Sequence, residues 1–129
     1  MVLHRSGRDF AFEARWRNAW IIDGSAILQE WRDPYAAGAE LRTYNTETRR
    51  WEGRNFYAGW RTWTHSEGVF ADGEFVIETP SVGPNGPILS RERYYDIQPR
   101  SFRIVATRSE DGGKTWSAPT YDMLCTRID

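Results

Sequence analysis

Polar side chains inside otherwise apolar segments are the first candidates for chemistry in this chain. Five residues have this placement: Glu30, Glu78, Arg91, Arg93 and Tyr95. If carboxylates and guanidiniums of this set meet in an apolar interior, they form either a polar anchor for a ligand or an acid–base pair. The alternative is that the charged positions of each strand face water, as they do on most antiparallel sheets.

Aromatic residues form the second candidate set, because the chain carries seven Trp, six Tyr and six Phe. The members with strand or loop positions near the polar candidates are Trp31, Tyr44, Trp51, Trp60 and Trp63. Trp and Tyr combine a large apolar ring with a polar atom, so they suit the wall of a half-polar cavity as well as a core. Both roles are open for these residues.

Residues that ligate metals or act as nucleophiles are few. His4, His65 and Cys125 have none of the spacings typical of metal sites, and no Gly-x-Ser-x-Gly motif occurs. We therefore predict no metal and no cofactor. His65 is kept as a candidate for ligand contact from a loop or a rim.

Composition narrows the possible partners. The 129 residues include 17 Lys and Arg against 18 Asp and Glu, giving a net charge of −1, which argues against nucleic acid as a partner. No secretory signal and no apolar run long enough to span a membrane occurs, so no membrane partner is predicted. The single cysteine fits a cytoplasmic location.

Alternation of apolar and polar residues with period two predicts strands throughout the chain. Phe10, Phe12 and Trp16 show it near the start, and Phe102 and Ile104 near the end. Strands are predicted over residues 9–16 with a kinked continuation to 22, over 26–32, 40–45 and 50–57, over a stretch ending near 70, over 74–79, 88–97 and 102–109, and over 115–126 with a break at Pro119. These eight or nine strands predict an all-β antiparallel meander closed into a barrel, with an open two-sheet sandwich as the alternative.

Turn signals separate the predicted strands. Asp23-Gly24 and Asp72-Gly73 are typical of hairpin turns, and residues 45–48 and 98–101 carry further turn signals. The segment 80–87 contains three prolines, which lack amide donors, so we predict a loop outside the regular ladder. Residues 1–129 are predicted to form one domain, with residues 1–8 flexible.

One local motif is well defined. Residues 109–116 read Ser-Glu-Asp-Gly-Gly-Lys-Thr-Trp, a pattern that resembles the Asp-box of sialidases and related propellers. In such a motif the Asp carboxylate bonds to turn amides, a glycine takes an unusual dihedral and the Trp packs underneath. The motif occurs once here, and we interpret it as a structural hairpin.

A wider resemblance covers most of residues 10–127. It is carried by Trp-Ile-Ile-Asp-Gly at 20–24, Leu-Arg-Thr-Tyr-Asn at 41–45 followed by Trp51, and Tyr-Asp-Ile-Gln-Pro-Arg-Ser-Phe at 95–102. These segments resemble a bacterial family of small lipocalin-like domains of unknown function. The resemblance implies a calycin-type up-and-down barrel of about eight or nine strands, with an internal pocket for a small, mostly apolar ligand. It implies no catalytic residues.

Three function classes follow from this interpretation. The first is a binding domain for a small hydrophobic ligand, in which a buried Arg, Glu or Tyr fixes the ligand's orientation. The second is a barrel enzyme that folds a hydrophobic substrate for cyclisation or isomerisation with acid–base assistance. The third is a protein-interaction module whose first strand edge seeks a partner, including a second copy in a homodimer.

Overall fold

The computed structural model describes residues 1–5 and 8–128, and the described residues form eleven strands and no helix. The strands are β1 Val2–Arg5, β2 Arg8–Ala11, β3 Arg15–Ile21, β4 Ala26–Arg32, β5 Ala37–Asn45, β6 Arg50–Tyr57, β7 Thr64–Ala71, β8 Glu74–Gly83, β9 Gly86–Gln98, β10 Ser101–Ser109 and β11 Tyr121–Thr126. The predicted all-β, antiparallel, up-and-down fold is confirmed. Within these ranges, no helix is long and apolar enough to cross a membrane.

The chain divides into two compact units. One comprises Phe12–Val69 and holds strands β3 to β7, paired in chain order; we call it the β3–β7 unit. The other comprises Met1–Ala11 with Phe70–Asp129. We call it the β8–β11 unit; its strands β8 to β11 pair in chain order, and β1 joins β11 to β2.

Tight turns connect the strands of the β3–β7 unit where the sequence predicts them. Between β3 and β4, Asp23 and Gly24 both take positive φ values of 52° and 83°. After β5, the side-chain Oδ1 of Asn45 accepts hydrogen bonds from the amides of Glu47 and Thr48, at 3.0 and 3.1 Å. These local bonds close the four-residue loops and so fix the register of each hairpin.

Strand boundaries agree with the prediction in some places and differ in others. β4 and β6 have the predicted bounds, whereas the predicted first strand is divided, because β2 ends at Ala11 and β3 begins at Arg15. Between these two strands Phe12 leaves the ladder and packs edge-on against Tyr35, with ring centroids 5.2 Å apart. A tertiary aromatic contact thus replaces the continuous alternation that the sequence pattern indicated.

The prediction of a loop over residues 80–87 is wrong. β8 and β9 remain paired up to Gly83 opposite Gly86, so residues 84 and 85 alone form the turn. Pro80 is opposite Leu89, and Pro87 is opposite Val82. These two cross-strand pairs are two positions apart along the ladder, so both are of the same type, either hydrogen-bonded or not hydrogen-bonded. Alternate pairs of an antiparallel ladder exchange no hydrogen bonds, so a proline in such a pair costs no bond to the partner strand.

The β8–β11 unit has an apolar core on one face of its sheet. Ile77, Tyr94, Ile104, Ala106 and Met123 are the buried hydrophobic residues of this unit. Cross-strand register places Tyr94 opposite Ile104, and Ile104 opposite Met123, so their side chains share a face. This is the ordinary arrangement of an antiparallel sheet with one buried side.

The hairpin at residues 109–116 closes as its residue pattern predicts. Oδ1 of Asp111 accepts hydrogen bonds from the amides of Lys114 and Thr115, at 3.0 and 2.9 Å, and from the Ser109 hydroxyl at 2.7 Å. Its Oδ2 accepts a bond from the Thr115 hydroxyl at 2.5 Å. These bonds, led by the one from the Thr115 hydroxyl, lower the pKa of Asp111 to about 2.

Packing beneath the hairpin completes the motif. Gly113 has a φ of 92°, which a residue with a side chain rarely adopts, and a Cβ at this position would lie 3.5 Å from the Trp116 ring and 3.7 Å from the Leu89 side chain. The guanidinium carbon of Arg91 lies 3.8 Å from the centroid of the Trp116 ring. The hairpin is therefore anchored to β9 by one apolar contact and one cation–π contact.

The lowered pKa of Asp111 predicts an acid-sensitive contribution to stability. Because the folded-state pKa lies below the unfolded value, this contribution is complete above about pH 4 and is lost as pH falls toward 2. We expect Asp111→Asn to destabilise the protein at pH 6, and to show a smaller further loss than the wild type between pH 4 and pH 2. Urea unfolding at several pH values measures this; Glu110→Gln, which removes a neighbouring exposed carboxylate, is the control, and equal slopes for all three proteins would contradict the prediction.

Candidate functional site

A continuous row of polar side chains crosses the β3–β7 unit. The register places five residues side by side on neighbouring strands: Asn18, Gln29, Glu40, Asn55 and Thr64. Directly opposed residues in an antiparallel sheet point to the same side, so these side chains share one face. We call this set the polar row, and the sheet face that carries it the amide face.

The next row on the amide face contains Arg42, which forms an ion pair with Glu40 of the polar row. In this row Arg42 on β5 is opposite Ile27 on β4 and Gly53 on β6. Gly53 is in turn opposite Ser66 on β7. Nε of Arg42 donates to Oε1 of Glu40 at 2.5 Å, and its Nη2 is also paired with that oxygen. The charge of Glu40 in the polar row is therefore neutralised within the protein.

Burial distinguishes the amide face from the opposite face. Gln29, Arg42 and Ser66 are 8%, 7% and 4% exposed, and Gly53 and Gly68 on the same face are also buried. Ala26 is the single buried strand residue of this unit that belongs to the opposite face. On strands β4 to β7 the face with most of the buried residues is thus the polar one, which is the reverse of the usual pattern, whereas Asn18 on β3 is exposed.

Aromatic rows flank the polar groups. On one side Trp16 and Trp31 lie opposite each other, with ring centroids 6.1 Å apart, and Tyr57 belongs to the same row. On the other side Tyr44 and Trp51 are opposed, with centroids 5.2 Å apart. The amide face therefore combines a hydrogen-bonding strip with apolar ring surface above and below it.

One polar atom of this face lacks a protein partner. The Oδ1 atom of Asn55 is buried and accepts no hydrogen bond from the residues that the structure describes. A buried acceptor without a partner is costly, and such atoms are often satisfied by water or a ligand. Asn55 lies between Glu40 and Thr64 in the polar row, so a group bound there would reach both neighbours.

Four of the aromatic candidates lie on or beside the amide face. Trp31, Tyr44 and Trp51 belong to its aromatic rows. Trp60 follows β6 in the connection to β7, and its ring lies 4.9 Å from that of Tyr57. Trp31 also donates from Nε1 to Oδ2 of Asp33 at 2.7 Å.

Three candidates are directed elsewhere in this unit. Glu30 and His65 occupy the opposite face, in pairs with Arg17 and Arg54, and both are exposed. Trp63 is 56% exposed and its ring lies tilted against that of Phe56 on that opposite face, with centroids 5.3 Å apart. None of these three contacts the polar row in the contacts that the structure describes.

The four candidates of the β8–β11 unit form ion pairs and ring contacts on its outer face. Arg91 pairs with Glu78, Nη2 to Oε1 at 2.7 Å. Arg93 pairs with Glu74 at 3.3 Å, and its guanidinium lies 4.7 Å from the Tyr95 ring centroid. Along the strands these residues alternate with the buried core residues, so their side chains face away from the apolar core.

The residues missed by the sequence interpretation are the polar row with Arg42 and Ser66. A signal existed in β4, where Gln29 shares the parity of Ile27 and Trp31. The other parity of the same strand, with Leu28 and Glu30, gives an equally mixed pattern. Only the pairing of five strands shows that the polar members of one parity form a continuous row.

Other reactive groups do not assemble into a site. Desolvation by burial raises the pKa of the Cys125 thiol to about 11, so the thiol is protonated at neutral pH and is a weak nucleophile. Within residues 1–5 and 8–128, no group of three or more His, Cys, Asp or Glu residues is placed to hold a metal ion. The polar row is therefore the strongest candidate site.

Comparison with known proteins identifies no family or relative from which a function could be inferred. No protein-family model matches this chain, and no curated protein matches it. The family resemblance noted in the sequence remains a hypothesis about the origin of the fold.

Proposed function

We propose that this protein binds a small molecule on the amide face of the β3–β7 unit. The observation that carries this proposal is the polar row itself, in which four amide and hydroxyl side chains and the Glu40 carboxylate paired with Arg42 share the face that holds most of the buried residues of these strands. Ligand sites typically combine apolar and aromatic surface with a few polar groups that fix orientation. The flanking Trp and Tyr rows supply the first, and the polar row supplies the second.

The sequence suggested a mostly apolar ligand, whereas the polar row favours a ligand that also forms hydrogen bonds. We also propose that the fold is a calycin-type barrel, which would enclose such a face. The antiparallel pairing of strands in chain order within each unit supports this assignment. A cytoplasmic location and a homodimer remain predictions from the single cysteine and the first strand edge. The enzyme and interaction-module alternatives also stay predictions, because no observation described above favours either over binding.

Ligand-observed NMR tests the binding proposal. The probe is a mixture of small neutral ring compounds, both apolar and hydroxylated, measured by saturation transfer from the protein. We expect transfer to a subset of the mixture with the wild type, and a dissociation constant about tenfold higher with Asn55→Ala, which removes one polar anchor.

The control variant for this experiment is His65→Ala. His65 lies one strand away from Asn55 on the opposite face and is exposed, so its loss leaves the amide face unchanged. Equal binding by the wild type and His65→Ala is expected. Absence of transfer to every compound, or transfer that Asn55→Ala leaves unchanged, would refute the proposed site.

A further inference from the structure

The charges on the amide face restrict the ligand to a neutral molecule. Glu40 and Arg42 are the charged residues of this face among the described residues, and each neutralises the other. Their side chains are 12% and 9% exposed, so neither carries a solvated charge that could be exchanged for one on a ligand. A charged ligand would have to be desolvated without a partner of opposite sign, which is strongly unfavourable.

The hydrogen-bonding groups of the polar row indicate a ligand with several hydroxyls. Each side-chain amide of Asn18, Gln29 and Asn55 offers both donors and acceptors, and the Thr64 hydroxyl can do either. A hydroxyl is also donor and acceptor at once, so it matches any position in the row. An apolar ligand would instead cover these groups and leave them without partners, as Asn55 Oδ1 already is.

The aromatic rings favour a non-planar ring over a flat heterocycle. The planes of Trp16 and Trp31 meet at 68°, and those of Tyr44 and Trp51 at 57°. A flat base or aromatic ligand gains most from a slot between parallel rings, which these tilted pairs do not provide. A saturated ring has C–H groups on both faces, and these contact aromatic surfaces at varied angles.

We propose that the ligand class of this site is a neutral saccharide. Its ring edge would place hydroxyls along the polar row, while its C–H face would lie against one of the flanking aromatic rows. Neighbouring strands are about 4.8 Å apart, so a single sugar ring bridges two members of the row. This inference rests on the proposed function and specifies the ligand chemistry of the same site.

Isothermal titration with named probes tests the inference. The saccharide probes are glucose, galactose, N-acetylglucosamine, maltose and cellobiose. The comparison probes are glucuronate for charge, uracil for planarity, and cyclohexanol for an apolar ring. We expect at least one neutral saccharide to bind more tightly than every comparison probe, and about tenfold more weakly to Asn55→Leu.

Two variants keep the test decisive. Asn55→Leu replaces the amide by an apolar group of similar size, and its fold is checked by thermal melting. Tyr57→Leu removes the ring of a flanking aromatic row that lies two residues from Asn55 on β6, and its fold is checked in the same way. We expect Tyr57→Leu to weaken saccharide binding as well, whereas His65→Ala on the opposite face leaves it unchanged.

The outcomes separate the inference from the function on which it rests. Binding of cyclohexanol, uracil or glucuronate without any saccharide overturns the saccharide inference and leaves the binding site intact. Saccharide binding that neither Asn55→Leu nor Tyr57→Leu weakens places the sugar elsewhere and also overturns the inference. Failure of every probe overturns both.

Discussion

Replacing Arg42 by methionine is expected to lower the free energy of unfolding by about 3–5 kcal/mol. The Arg42 and Glu40 side chains are almost completely buried, and the Arg42 guanidinium contacts Oε1 of Glu40 through Nε and Nη2. Methionine keeps the volume of the arginine stem but removes the charge. Glu40 would then be a buried carboxylate without its partner, which costs far more than an exposed ion pair contributes.

Urea unfolding of matched variants measures this effect. Arg54→Met is the control, because Arg54 is an exposed residue of β6 on the opposite face, and a change of less than about 0.5 kcal/mol is expected. The double variant Glu40→Leu/Arg42→Met should recover most of the loss, since an apolar pair has no uncompensated charge. A similar cost for Arg42→Met and Arg54→Met would show that the buried pair is not a structural element of this face.

Gly38→Ala is expected to destabilise the protein by about 1–3 kcal/mol, although alanine is normally the better residue for a strand. The added Cβ would lie 2.6 Å from Cδ1 of Tyr57 and 2.8 Å from the carbonyl oxygen of Phe56. The glycine is needed for this close approach and not for an unusual backbone angle. The clash outweighs the gain of about 0.4–1 kcal/mol that alanine gives by restricting the unfolded chain.

A double-mutant cycle with Tyr57→Leu tests the origin of this cost. Leucine removes the ring that the new Cβ would strike, so the penalty of Gly38→Ala should be smaller in the Tyr57→Leu background. It should not vanish, because the Phe56 carbonyl oxygen remains in place. A penalty that is the same in both backgrounds would mean that the Tyr57 ring moves aside freely.

Local features of the fold could be predicted because they depend on neighbouring residues. The Asp23-Gly24 turn, the Asn45 turn and the bounds of β4 and β6 follow from dihedral preference, side-chain bonds to nearby amides and alternation. The hairpin at 109–116 was predictable for the same reason. Its Asp111 carboxylate and the amides it binds are at most four residues apart.

Other predictions were wrong at positions where pairing or packing across the sheet overrides the local preference of the residues. Prolines at 80 and 87 predicted a loop, but an antiparallel ladder tolerates a proline at every second pair, where no hydrogen bond is exchanged. Which pairs these are depends on the register between the two strands, and the sequence of one strand does not show it. The division of the first predicted strand is similar, because Phe12 packs on Tyr35, a residue more than twenty positions away.

The candidate site shows the same division between local and non-local information. From the sequence, Trp31, Tyr44 and Trp51 could be named as ring surface, and the structure places all three on the amide face. Glu30 and His65 could not be distinguished from residues of the amide face. Their side of the sheet is set by register, and a shift of one residue moves every side chain of a strand to the other face.

The sequence by itself determined the fold class, the turns at Asp23-Gly24 and Asn45, the hairpin at 109–116 and the aromatic content of this protein. Only the tertiary structure decided that Asn18, Gln29, Glu40, Asn55 and Thr64 lie in one row, and that the Glu40 charge is neutralised by Arg42. The physical reason is that each of these residues sits on a different strand. Their meeting depends on the register of four consecutive pairings, and no single segment carries that information.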